Sequence, residues 1–332
     1  MLLSKNSTAR MLLVGVFVIL TGSACVSRFY LNIPRQVIPI DFDASMQSDH
    51  YSQLLANTHM FNLLQVFKKV YNHHKSALEK ELTDNRIPHI LHIVWLGSKL
   101  PKEYEQFYQS WHKHHTTWTH IFWTDHPANY ELGSVLCKTF DELDNAIKNN
   151  GTCAMKIVVD TEQLQFDNKK FFNCSRNYGE RSDILKWEIV YRYGGTYVDT
   201  DFECLNALDQ LNSCFDFYTG LQPLDTNQVQ LGAALFAAIA HHPIMKACVD
   251  GIKNNQHIVP IVAKSGPLHF TKCFLEKATE HNLINIALPA GYFYPCGYEE
   301  RNLAPAKWMK NEALAVHHWA GSWIKTEGFV RS

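Results

Sequence analysis

The stretch DILKWEIVYRYGGTYVDTD, residues 183–201, limits the fold more than any other part of the chain. From Asp183 to Tyr193 apolar side chains fall on most faces of a helix, so this helix reads as buried, with Ser182 placed to cap its start. Gly194-Gly195 stops it, and the chain runs on at once as the strand TYVD. A buried helix feeding an apolar strand needs a layered α/β fold to cover both.

Upstream, HILHIVWLG follows Pro88 as a β-rich run ended by Gly97, a polar helical stretch spans Lys102 to His114, and THIFWTD closes on Asp125. Strand, helix, strand predicts neighbouring parallel strands joined by a right-handed crossover. Ligands collect at the carboxyl ends of such strands, where Trp95 and Asp125 stand. Residues 46–82 carry apolar side chains at near-helical spacing, as a stalk or a packed first helix.

At 332 residues, with 46% hydrophobic and 19% charged content, the chain can bury a full core. Lys+Arg at 31 against Asp+Glu at 32 gives a net charge of -1, so no global field draws it to nucleic acid or to cations. Any charge-based function is therefore local.

Lys5 and Arg10 precede an uncharged apolar run, Met11 to Val26, which is the pattern of a membrane-targeting segment. The readings are a signal anchor, a signal peptide cleaved near Ala24, a lipoprotein modified at Cys25, or a buried helix of the fold. The expectation is a single-pass type II membrane protein, in the Golgi if the source is eukaryotic, with a secreted or bacterial membrane-associated protein as the alternative. The expected organisation is an N-terminal segment over 1–35, a helical stalk or packing region over 36–85 and a catalytic domain over 86–332. Nine cysteines lie scattered without a CxxC pair, which excludes the usual zinc and thioredoxin patterns. The eight beyond the apolar run suit either lumenal disulfides or buried thiols. Asn150-Gly-Thr and Asn173-Cys-Ser would permit glycosylation in a secretory lumen.

On an extended strand, residues i and i+2 share a face, so Asp199 and Asp201 would project together while Val198, Thr200 and Phe202 take the other side. Two like charges that close persist if a divalent cation or a set of donors neutralises them, and carboxylate oxygens favour Mg²⁺ or Mn²⁺. Asp183 and Lys186, at i and i+3 of the preceding helix, share a face as well.

Ser182-Asp183-Ile184-Leu185-Lys186 followed by Tyr191 to Asp201 resembles the S-D-(I/L)-x-(R/K) and Y-x-x-G-G-x-Y-x-D-x-D pattern of the DXD glycosyltransferases. That family includes the fungal initiation α-1,6-mannosyltransferase, the inositol-phosphoceramide mannosyltransferases and the α-1,4-glycosyltransferases. IPHILHIVWLGSKLP is similar to its opening strand, and AVHHWAGSW at 315–323 to its closing H-H-x-x-x-S-W element. The resemblance implies a Rossmann-like, glycosyltransferase A-type nucleotide-sugar-binding fold in a single catalytic domain. It implies retaining, metal-dependent transfer of a hexose or N-acetylhexosamine from a UDP- or GDP-linked donor to a glycan, glycolipid or protein acceptor. By the same resemblance Asp201 binds Mn²⁺ or Mg²⁺ directly, Asp199 reaches the donor or the metal, and His318 completes the metal site, with His317 in a structural or hydrogen-bonding role. Trp95 would face the base, Asp125 the base or ribose, and Asp183 the sugar hydroxyls, with Lys186 or Arg181 on the sugar or phosphate. Ser322 would offer a hydroxyl to the metal or a phosphate, and Trp323 would pack over the diphosphate. Residues 220–238 read as strand or loop on the acceptor side, with Gln222, Asp225 and Gln230 as weak candidates. The competing classes are a phosphodiester hydrolase using the same acidic pair and an inactive sugar-nucleotide binder.

Overall fold

β1 (Ile90–Val94) is buried along its whole length, the burial expected of an apolar run in the middle of a sheet with both faces covered. It pairs in parallel with β2 (Thr119–Thr124) on one side and β5 (Gly195–Val198) on the other. The crossover from β1 to β2 is the helix Lys102–His114, which buries Trp111. β4 (Lys156–Asp160) and then β3 (Val135–Cys137) continue the sheet in parallel beyond β2. On the other side β8 (Leu231–Ala238) runs antiparallel between β5 and β7 (Phe217–Leu221), and β9 (Asn285–Leu288) closes the edge in parallel with β7. The sheet order is β3-β4-β2-β1-β5-β8-β7-β9, a mixed α/β fold in which β8 alone reverses direction. β8 falls within residues 220–238, which read as strand or loop from the sequence.

That one reversal matters for the site. The carboxyl ends of β1, β5 and β7 and the amino end of β8 lie along the same edge, so segments from four strands border one space. Away from the main sheet, β6 (Phe202–Cys204) and β10 (Ala315–His317) form a two-stranded antiparallel ladder with Phe202 opposite His317.

The buried helix begins earlier than its apolar pattern suggests. It spans Tyr178–Tyr193, and Asn177, not Ser182, caps it by accepting from the Glu180 N–H. Its interior position is fixed by Trp187, whose ring stacks on Phe270 at 4.9 Å and whose indole N–H donates to the Ser265 carbonyl. The helix Thr58–His74 lays Leu64, Phe67 and Tyr71 on one face, with the Phe67 ring against Phe274.

The computed structural model describes residues 36–46, 56–80, 85–129, 134–150, 154–226, 228–279 and 282–321, and these described residues group as one unit. The single-pass type II expectation is corrected: among the described residues no helix is long and apolar enough to cross a membrane. Met11 to Val26, which carried that expectation, lies outside the described residues. The seven described cysteines are all free thiols.

Gly194 and Gly195 both adopt left-handed backbone, at φ +64° and +92°. A Cβ on Gly195 would lie 2.6 Å from the Ile90 carbonyl oxygen of β1, so the turn from helix to β5 admits no side chain there. Gly195→Ala is expected to lower unfolding free energy by about 3 kcal/mol, from strained φ plus the clash. Urea unfolding checks this, and an unchanged midpoint would contradict the packing described.

Candidate active site

β5 ends at Val198, and the chain turns, with the Phe202 N–H donating to the Asp199 carbonyl, before β6 begins. Asp199 and Asp201 therefore meet across a turn rather than on an extended strand, and Thr200 lines the same cleft between them. That cleft has a volume of about 520 Å³, within the range of small-molecule sites. Its walls include Trp95 after β1, Asp183 and Lys186 of the 178–193 helix, Gln222 after β7, Gln230 before β8, and His317 and Trp319.

Each acid has its own support. The Tyr197 hydroxyl donates to Asp199 Oδ1 at 2.6 Å, and the Ala320 N–H donates to Asp201 Oδ2 at 2.8 Å. His317 Nε2 lies 3.3 Å from Asp201 Oδ1. Removal from water raises the Asp199 carboxyl to about 6, and the Asp201 charge adds to that rise against the pull of Lys186, Tyr197 and His317. Desolvation also pushes Asp201 up, but His317 and the Ala320 N–H outweigh it and hold this carboxyl below its ordinary value. The two acids are thus tuned apart by unequal surroundings.

Lys186 is 3% exposed, its ammonium 2.5 Å from Asp183 Oδ1 and above the rings of Trp187 and Tyr197. The Ser265 hydroxyl donates to the other oxygen of Asp183 at 3.0 Å. A cation, an acid and a hydroxyl are thereby fixed beside the acidic pair, on elements that cannot easily shift.

The histidines differ from expectation. His317, not His318, joins Asp199 and Asp201, with one ligand atom from each of the three within 4.8 Å of the others. The β6–β10 register explains this: the His318 N–H bonds the Asp201 carbonyl, and successive side chains alternate faces. His317 thus turns to the cleft, while His318 Nε2 bonds Glu203 at 3.0 Å and its ring stacks on Phe107. Buried His317 Nδ1 has no hydrogen-bond partner. Two carboxylates and an imidazole with a spare nitrogen fit a divalent cation, and the imidazole favours Mn²⁺ over Mg²⁺.

Trp95 stands at the cleft wall, its ring 5.3 Å from Tyr104 and its indole N–H on Ser98. Asp125 does not line the cleft; both its oxygens accept from the Gly97 N–H, and His126 pairs with it. Arg181 likewise points elsewhere, bonding Glu162 at 3.0 Å and covering Phe172. Gln222 and Gln230 bond each other at 2.6 Å in the cleft, whereas Asp225 accepts from the Tyr298 N–H outside its lining. Ser322 and Trp323 lie outside the described residues. Sequence reasoning missed Tyr197, Ser265 and the Ala320 N–H. Of these, Tyr197 was readable from its place two residues before Asp199.

The α/β sheet thus carries an acidic, cation-fitting cleft at its strand ends, where folds of this kind bind ligands. Residues 101–217 match the family model described as glycosyltransferase sugar-binding region containing DXD motif. It is 22% identical over 249 residues to inositol phosphoceramide mannosyltransferase 2 of Schizosaccharomyces pombe, covering 74% of this chain and 60% of that protein. It is also 22% identical over 219 residues to mannosyl phosphorylinositol ceramide synthase CSH1 of Saccharomyces cerevisiae, covering 62% and 48%. The chain thus spans about half to three-fifths of these relatives' length. The UDP-bound glycosyltransferase domain from the YGT toxin superposes with a TM-score of 0.43 at 13% identity, over 67% of this chain and 83% of that one, too loosely to transfer residue roles.

His317→Ala is expected to weaken Mn²⁺ binding by roughly tenfold or more, about 1.4 kcal/mol, and His318→Ala to leave it within about twofold. Titration calorimetry checks the pair, and the reverse pattern would restore His318 as the ligand. Protonated Asp199 cannot bind a cation, so affinity should fall by roughly tenfold per pH unit below about 6. Constant affinity from neutral pH through that value would contradict the pairing of the acids.

Proposed function

We propose that this chain is a metal-dependent, retaining glycosyltransferase with a glycosyltransferase A-type fold, moving a hexose from a UDP- or GDP-linked donor to a glycolipid. The convergence of Asp199, Asp201 and His317 on one cleft beside the Asp183–Lys186 pair carries this reading. Held by those three residues, Mn²⁺ would supply Lewis-acid screening of the donor's diphosphate.

The chain's own residues divide the remaining work. The Trp95 indole offers a flat apolar face for the base, at the end of β1. Asp183, locked by Ser265 and Lys186, presents an acceptor to sugar hydroxyls without loss of rotamer freedom. Lys186 adds a point charge toward the phosphates in place of the forked guanidinium more usual in the family. Buried in the cleft wall, that charge acts in a low dielectric. The retaining course rests on the family resemblance, with front-side attack assisted by the leaving phosphate. A glycolipid acceptor is supported by the inositol phosphoceramide named in the relatives. Neither phosphodiester hydrolysis nor inert binding gains support from the family match or from the intact acidic pair.

The full chain, given a panel of UDP- and GDP-hexoses with Mn²⁺ and vesicles carrying inositol phosphoceramide, is expected to transfer sugar to the lipid. Asp201→Ala should lower kcat/KM by roughly a hundredfold or more, about 2.7 kcal/mol of lost transition-state stabilisation. Turnover unaffected by chelation, or cleavage of simple phosphodiesters in place of transfer, would overturn the reading.

A further inference from the structure

Behind the cleft wall, two helices meet around a second cluster of metal-ligating groups that the proposed reaction does not use. Cys248 lies on the helix Pro243–Asn254, and His269 and Cys273 lie four residues apart on the helix Pro267–Lys277. The three are 0%, 3% and 4% exposed, and one ligand atom from each lies within 4.8 Å of the others. Cys273 Sγ is 3.7 Å from His269 Nδ1. Donors of a tetrahedral zinc ion, with Zn–S near 2.3 Å and Zn–N near 2.1 Å, sit about 3.6 Å apart, so this spacing already approaches that of a bound site.

The imidazole is oriented for the purpose. His269 Nε2 bonds the Cys248 backbone carbonyl at 2.9 Å, which as an N–H donation puts the lone pair on Nδ1, the ring nitrogen nearer Cys273 Sγ. Gly251 makes room for the ring, since a Cβ there would lie 2.4 Å from His269 Cε1. The Asn255 amide, which also donates to the Lys264 carbonyl, is the group a cation would displace from Nδ1. Charge permits deep burial: two thiolates and a neutral imidazole cancel a divalent ion.

We propose that Cys248, His269 and Cys273 form a second metal site, specific for a thiophilic divalent cation of the zinc class and separate from the carboxylate-rich cleft. Soft sulfur donors here and hard oxygen donors there sort two metals by ligand chemistry. The ion ties together the helices whose junction carries Ser265 and Pro267, and so stiffens the wall that holds Asp183. Three donors leave one coordination position open, so binding is weaker than at a four-ligand structural site.

The test is independent of the transferase reading. Full chain purified under reducing conditions, equilibrated with zinc alone at low micromolar free metal and desalted, is assayed by elemental analysis. In Asp201→Ala one equivalent is expected, and it is lost when Cys248→Ser or Cys273→Ser is added. Where a cysteine variant fails to fold, wild type loaded with cobalt(II) decides: a near-ultraviolet thiolate-to-cobalt charge-transfer band supports the site. Absence of that band, zinc content indifferent to both cysteine replacements, or a Cys248–Cys273 disulfide as the stable form overturns it.

Discussion

Two carboxylates forced together at the end of β5 set the terms for the rest of the structure. Their oxygens approach within 4.8 Å, a repulsion of about 3.5 kcal/mol at an effective dielectric of about 20. The protein offsets part of it with a tyrosine hydroxyl, a backbone N–H, a buried ammonium and an imidazole, yet Asp199 still sits near 6. What the surrounding groups leave uncompensated is an affinity for positive charge at one point of the cleft. In the proposed reading, a divalent ion bound there would recover the repulsion as binding energy and share itself with the donor's diphosphate.

The fold delivers the groups to that point by two separate routes. The sheet edge brings Trp95, the acidic turn and the Gln222–Gln230 pair to one line because β8 reverses between parallel neighbours. The C-terminal strand arrives differently, paired with β6, so its register alone decides which histidine meets Asp201. Trp319 then turns through left-handed backbone at φ 53°, anchored by its indole N–H on the Cys296 carbonyl, which lets the Ala320 N–H reach the Asp201 carboxylate. Such backbone costs on the order of 1–3 kcal/mol, and it falls where the site gains a donor.

Sequence pattern reached some of this and not the rest, for identifiable reasons. The β1–helix–β2 unit was legible, its helix from Lys102 to His114, because Gly97 and the change of period mark its ends. The buried helix lost its first turn, since Tyr178-Gly179-Glu180 is polar and glycine-bearing and hides a cap at Asn177. His317 and His318 are adjacent and chemically identical, and strand register, a long-range property, separates them. Asp125 and Arg181 looked available for a ligand because their partners, the Gly97 N–H and Glu162, are contacts made only on folding.

The most direct measurement of the central claim is anomalous diffraction at the manganese edge from crystals soaked in Mn²⁺. The account predicts a single strong peak bounded by the carboxylates of Asp199 and Asp201 and the imidazole of His317. A cleft without a peak, or a peak held by His318 and Glu203, would contradict it.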